Sequence, residues 1–271
     1  MNPQGFLKAV LASQAEIIAA SRSRISEATV RSDAEQTAPR ASFSQAMATS
    51  TAQEPGIISE IKKASPSKGD IRADLDPKAF ADAYTEGGAA AISVLTEPRF
   101  FKGSLADLEA AREVTDLPLL RKDFIISSYQ IYEAKRVGAS AVLLITTILS
   151  REQQRDYTSL IRELGMEPLV EINSEWEFEQ AYTTGGKVVG INNRNLATLE
   201  VDTEVARRVA AIFPEDVLPV AASGISARAD IEAMLDHNIF NFLIGESIVR
   251  SADPAAFIKD LRGVKDDEEG A

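Results

Sequence analysis

The sequence predicts an α/β fold, a (β/α)8 TIM barrel preceded by a helical extension, and three observations carry that prediction. Eight short apolar runs rich in Val, Ile, Leu and Ala recur from residue 57 onward, roughly 20 to 35 residues apart, which is the spacing of strand–helix units. The runs are nearly continuous instead of alternating with polar residues, as parallel strands covered on both faces are. The pieces between them carry helix start and stop signals.

In chain order, residues 1–56 stand outside this pattern and form the extension. Phe6, Leu7, Val10, Leu11, Ile17, Ile18 and Ile25 mark one long amphipathic helix. Residues 32–40 are polar and read as a linker, and Ser42-Phe43 opens a short second helix. Barrel strands are then expected at 57–61, 91–95, 119–122, 141–145, 168–172, 188–192, 219–222 and 240–244, with the barrel domain spanning 57–263. Asp76 caps a helix that has Pro77 at its first position and ends at Gly87-Gly88. Ser128 caps a helix over 129–137 that stops at Gly138, and Ser174 begins one over 175–183 that stops at Gly185-Gly186. Residues 264–271 read as an acidic, flexible tail. A doubly wound open sheet is the runner-up, but it usually has fewer strands and a glycine-rich first turn, and no GxGxxG or Walker A sequence is present.

Composition narrows the function. Among 271 residues, 41 Asp and Glu stand against 29 Lys and Arg. That balance disfavours nucleic acid as a partner while allowing a small phosphorylated ligand held by a local cluster of cations. No apolar stretch reaches the roughly 20 residues that span a bilayer, so no membrane partner is expected. There is no Cys, hence no disulfide framework or thiolate chemistry, and a cytoplasmic setting is the simplest reading. The single His, His237, falls where a helix should end, which sets aside His-based metal sites and Ser-His-Asp triads. The expected oligomeric state is a monomer or weak homodimer.

A barrel of this kind places its active site at the carboxyl ends of its strands. Alternation along the first strand puts Ile58, Glu60 and Lys62 on one face, so a carboxylate and an ammonium point together at the strand end. Ser65-Pro66-Ser67-Lys68-Gly69 adds hydroxyls, a cation and flexible backbone just beyond. The third strand ends in Lys122, the fifth in Glu171 and the sixth in Asn192, followed by Arg194. One such residue alone would serve as a structural ion pair, whereas two lysines and two glutamates at matching strand ends point to acid–base chemistry. The seventh and eighth strands end in Ala222-Ser223-Gly224 and Gly245-Glu246-Ser247, small residues that let backbone N–H groups approach an oxyanion at the usual phosphate position of this fold. Pro66, Phe101, Phe124, Leu143, Ile145 and Leu196, all near strand ends, give the mouth an apolar side that fits a flat aromatic group.

Glu60-Ile61-Lys62-Lys63-Ala64-Ser65-Pro66-Ser67-Lys68-Gly69, Ser93-Val94-Leu95-Thr96-Glu97, Phe100-Phe101-Lys102-Gly103-Ser104 and Arg121-Lys122-Asp123-Phe124-Ile125 occur in that order. Tyr129-Gln130-Ile131-Tyr132-Glu133-Ala134, Leu169-Val170-Glu171, Gly190-Ile191-Asn192-Asn193-Arg194-Asn195-Leu196, Ser223-Gly224-Ile225 and Leu243-Ile244-Gly245-Glu246 follow. In these stretches, spread over nearly the whole chain, the sequence resembles the indole-3-glycerol phosphate synthase family of tryptophan biosynthesis. The resemblance implies closure of a pyrrole ring on an anthranilate-derived 1-deoxyribulose 5-phosphate, with loss of carbon dioxide and water and with no cofactor or metal. It makes Lys122 the general acid for carbonyl attack and Glu171 its acid/base partner. Lys62 takes roles in substrate binding and dehydration; Glu60 and Asn192 orient these groups, Glu60 also as a proton acceptor. Ser65, Arg194, Ser223, Gly224 and Gly245, with Glu246 beside them, become substrate and phosphate contacts. One position departs from the family, which usually carries a glutamate where this chain has Ala222; the loss of that carboxylate implies a weaker enzyme or a compensating group. Two competing readings are the neighbouring isomerase of the same pathway, which often relies on a Cys that this chain lacks, and a non-catalytic barrel that binds the phosphorylated ligand.

Overall fold

The computed structural model describes residues 3–196 and 198–264, with side chains from residue 5 onward. Eight strands close a parallel barrel: β1 Gly56–Ile61, β2 Ala91–Leu95, β3 Leu119–Lys122, β4 Ala141–Ile145, β5 Glu167–Ile172, β6 Val188–Asn192, β7 Leu218–Ala222 and β8 Asn241–Ile244. The seam pairs Gly56 with Asn241 through Ser59 with Ile244. All eight expected strands form, with bounds within one residue of the apolar runs. Their continuity has a direct cause, because each strand buries both faces. Ile57, Val94, Val142, Val170, Ile191 and Phe242 turn outward onto the helices. Ile58, Leu120, Leu143, Leu169, Val188 and Val220 fill the inside.

The helices around the barrel are α4 Pro77–Glu86, α5 Leu105–Arg112, α6 Ser128–Arg136, α7 Arg151–Glu163, α8 Glu175–Thr183, α9 Glu204–Ala210, α10 Arg228–Leu235, α11 Glu246–Arg250 and α12 Pro254–Arg262. Ahead of them lie α1 Pro3–Arg24, α2 Glu27–Gln36 and α3 Phe43–Ala48. Asp76 caps α4 as expected, its carboxylate accepting the Lys78 N–H at 3.0 Å. The cap of α6 is Ser127, one residue before the expected Ser128.

Two expectations are corrected. The stretch expected as a linker is helical through residue 36, because Val30 and Ala34 pack against Tyr129 and Tyr132 of α6 together with Ile18 of α1. Two apolar residues one turn apart give little periodicity, and tertiary packing supplies the rest. The Ser65–Gly69 segment, expected as flexible backbone, is a small antiparallel ribbon pairing Ala64 with Asp70 and Ser65 with Gly69. Gly69 takes φ +65° at its turn, a conformation open to glycine at no steric cost. The expected acidic tail lies outside the described residues from 265 on.

α3 closes the amino-terminal end of the barrel with Phe43 and Met47. It is anchored by Glu167 at the start of β5, whose carboxylate accepts from Ser42 Oγ at 2.7 Å and from the N–H groups of Phe43 and Ser44 at 2.9 Å each. A carboxylate at a helix start satisfies otherwise unpaired N–H groups and meets the positive end of the helix dipole. α1 lies at the other end of the barrel, where Phe6, Val10, Ser13, Gln14 and Ile18 form its buried stripe. Two members of that stripe are polar, and the active-site region explains one of them.

Candidate active site

Strand parity aims the chemistry. Glu60 follows Ile58, Lys122 follows Leu120, Glu171 follows Leu169 and Ala222 follows Val220, each two residues on from an interior apolar side chain. Lys62 continues the parity of Glu60 just past the end of β1. Lys63 has the opposite parity and points outward, its Nζ bonding both carboxylate oxygens of Asp107 at 2.8 Å.

Every site residue expected from the sequence lines one cavity of about 490 Å³ at the carboxyl ends of the strands. On its floor Lys62 Nζ lies 2.5 Å from Glu60 Oε1. Lys122 Nζ stands 3.9 Å from Glu60 Oε2 and 3.8 Å from Glu171 Oε2. Those two distances exceed hydrogen-bond range but keep strong Coulomb attraction at a buried site. The ammonium of Lys122 is therefore held between two carboxylates, and neither of them occupies its protons. Asn192 Nδ2 donates to Glu171 Oε1 at 3.1 Å, Ser223 Oγ donates to Asn192 Oδ1 at 2.9 Å, and the Arg194 N–H donates to the same oxygen at 3.0 Å. Asn192 thus fixes the carboxylate that faces Lys122.

Burial alone would raise the Glu60 carboxyl, but the cations of Lys62 and Lys122 outweigh it and hold the group below its usual range. A depressed carboxylate contributes stability above its unfolded value, near pH 4.5, and that contribution is lost as pH falls through the folded value. Glu60→Gln is expected to destabilise the protein by about 2 kcal/mol at pH 7, with the difference shrinking as pH falls below the unfolded value. Urea midpoints measured from pH 3 to 7 check this; a difference that stays constant with pH contradicts the charged pair.

Around the rim the structure separates the contacts further. Ser65 Oγ is buried against the cavity with no partner among the described residues. Ser223 and Gly224 take φ of +69° and +76°, a turn that folds the end of β7 back toward the cavity. Glu246 lines the cavity, but its carboxylate accepts from Arg250 Nε at 3.1 Å. A carboxylate offers no donor to an anion, whereas Arg250 does. Arg194 Nη1 donates to the Leu199 carbonyl at 2.9 Å, so part of its guanidinium is spent on its own loop. Gly245 sits against the ion pair: a methyl at that position would lie 2.4 Å from Glu60 Oε1 and 3.0 Å from Lys62 Nζ.

Phe101 and Phe124 face each other at 6.2 Å on the apolar side, with Pro66, Leu143, Ile145 and Leu196 nearby. The sequence reading missed Phe6 of α1, which also lines the cavity and meets Phe124 edge-on at 6.3 Å. Phe6 stands 50 positions before β1 begins, and no local signal in its helix places it there. α1 is tied down by Gln14, whose Nε2 donates to Asp123 Oδ1 at 2.8 Å. Asp123 also accepts from Thr96 Oγ1 at 2.6 Å and pairs with Arg121 at 3.1 Å. Lys68, the cation expected just beyond β1, stands at the rim, together with Arg250, a cation that the sequence does not single out. Ala222 points inward on β7, in register with Asn192 and Leu243, and leaves that wall without a carboxylate.

The family model for indole-3-glycerol phosphate synthase matches residues 7–261. An indole-3-glycerol phosphate synthase of Desulfosudis oleivorans is 48% identical over 256 residues, covering 94% of this chain and 97% of that protein. One of Laribacter hongkongensis is 40% identical over 257 residues, covering 94% and 98%. A multifunctional tryptophan biosynthesis protein of Schizosaccharomyces pombe is 47% identical over 219 residues, which is 79% of this chain and 29% of that one. Among solved structures, a thiamine phosphate pyrophosphorylase of Pyrococcus furiosus shares the fold alone, at TM-score 0.57 and 15% identity over 78% of this chain and 95% of that one.

Proposed function

The chain belongs to the indole-3-glycerol phosphate synthase family, and from that premise we propose how its own residues divide the family's reaction. The enzyme is a lyase of tryptophan biosynthesis. It converts 1-(2-carboxyphenylamino)-1-deoxyribulose 5-phosphate to indole-3-glycerol phosphate by ring closure, decarboxylation and dehydration.

The observation that carries the assignment is the ammonium of Lys122, set between Glu60 and Glu171 without a hydrogen bond to either. Ring closure joins the carboxylate-bearing aromatic carbon to the ketone carbon, and the carbonyl electron pair moves to oxygen. Lys122 gives that oxygen its proton, which lowers the barrier as a positioned general acid does. Carbon dioxide leaves, and its bonding pair restores the aromatic ring. The new hydroxyl departs as water on a proton from Lys62, driven by the ring nitrogen's lone pair. Glu171, oriented by Asn192, takes the methylene proton that completes the pyrrole.

The rest of the cavity binds. Phe101 and Phe124 take the carboxyphenyl ring, where apolar contact and offset aromatic packing favour a flat group. Ser65, Ser223 and Gly224, backed by Arg194, Arg250 and Lys68, take the phosphate. Substrate labelled at the carboxyl carbon tests the whole reading. The expected result is one labelled carbon dioxide released per indole chromophore formed; substrate binding without release of label would overturn it.

A further inference from the structure

Glu97 is fully buried just beyond β2, yet no cation pairs with its carboxylate among the described residues. A buried carboxylate is stable only when polar groups replace the water it has lost. Backbone groups do so here. Oε1 accepts the Arg99 N–H at 3.1 Å, and Oε2 accepts the N–H groups of Phe100 at 2.6 Å and Phe101 at 3.1 Å. The Gly103 N–H closes the same loop onto the Glu97 carbonyl at 2.9 Å. Burial still pushes the carboxyl above its usual range, against the pull of the three N–H donors. The loop that follows β2 is therefore wrapped around one anion, and the backbone that the anion fixes carries two aromatic rings. Phe101 stands on the cavity wall beside Phe124, and Phe100 meets Phe6 edge-on at 5.4 Å.

We infer that Glu97 is a positioning residue for the aromatic half of the substrate, setting Phe101 against the carboxyphenyl ring through the three N–H groups it holds. The inference rests on the reading of the Phe101–Phe124 wall as the ring pocket. Apolar packing alone would leave the direction of this backbone open, whereas three donors on one carboxylate fix three successive residues. Asp is one methylene too short to reach them. Gln keeps one acceptor oxygen and so holds part of the set.

The test is steady-state kinetics of Glu97→Ala, Glu97→Gln, Phe101→Ala and the Glu97→Ala/Phe101→Ala double variant. Affinity for ribulose 5-phosphate, a sugar phosphate without the ring, is measured beside it. Each Ala variant is expected to raise KM roughly tenfold with kcat within about twofold, and the double variant to be no worse than about either single one, because both act through one contact. Glu97→Gln falls between wild type and Glu97→Ala, and affinity for ribulose 5-phosphate is unchanged throughout. Additive losses in the double variant would overturn the inference, as would a weakened grip on ribulose 5-phosphate. A normal KM in both Glu97 variants with a raised KM in Phe101→Ala would overturn the role of Glu97 alone. Normal KM in all of them would remove the ring pocket as well.

Discussion

Lys122→Ala is expected to lower kcat about 10²- to 10⁴-fold while KM stays within a few-fold. The asymmetry follows from the geometry. The Lys122 ammonium makes no hydrogen bond among the described residues, so truncating the side chain breaks no bonded network, and Glu60 keeps Lys62 while Glu171 keeps Asn192. The ring wall and the phosphate rim do not depend on it. What disappears is the proton for the ketone oxygen, an interaction made only in the transition state. Steady-state rates of indole-3-glycerol phosphate formation, followed by fluorescence, check this. Near-wild-type kcat would refute Lys122 as the acid, and a large rise in KM with kcat intact would make it a binding residue.

Gly245→Ala is expected to be nearly as damaging, with kcat down about 10²-fold, the scale of misplacing a reacting group by about 1 Å. The cause is space and not backbone freedom. Gly245 has φ −124° and ψ −70°, where the sign of φ gives glycine no special advantage. Its added methyl would meet Glu60 Oε1 at 2.4 Å and Glu60 Cβ at 3.1 Å, so the Glu60–Lys62 pair must move. The sequence points instead to a phosphate contact at this glycine, and the two roles give different kinetics. A displaced acid–base pair lowers kcat, whereas a lost phosphate contact raises KM and leaves kcat alone. The second pattern would contradict the packing role.

The strands were legible because burial on two faces writes itself as an unbroken apolar run. Strand parity then gave the shared face of Glu60 and Lys62, and position at a strand's carboxyl end gave Lys122 and Glu171, without any knowledge of loops. Residues whose position depends on distant contacts were not legible. Phe6 reaches the cavity on a helix that Gln14 ties to Asp123 across 109 positions of sequence, and α2 packs Val30 and Ala34 on α6. Gly245 was found for its smallness, but the side chains that require the smallness come from β1, far away in sequence. Asp123 and Glu97 stood in recognisable motifs, yet their work is done through backbone and buried partners that a sequence does not display.

Ala222 stands in register with Asn192 on the cavity wall, where the acid–base set is tested most directly. The floor of the site holds two ammonium groups and two carboxylates, a balanced set in which Glu171 is oriented by Asn192 and Asn192 by Ser223. A further carboxylate on β7 would add negative charge to a cavity that must accept a carboxylate and a phosphate. The decisive measurement is kcat of the unmodified chain beside Ala222→Glu, with the purified proteins and saturating substrate. Turnover by the unmodified chain is expected in the ordinary enzyme range, about 1–10³ s⁻¹, with no more than a few-fold gain from Ala222→Glu. An unmodified chain that binds substrate without forming product, and that gains turnover only as Ala222→Glu, would contradict that expectation.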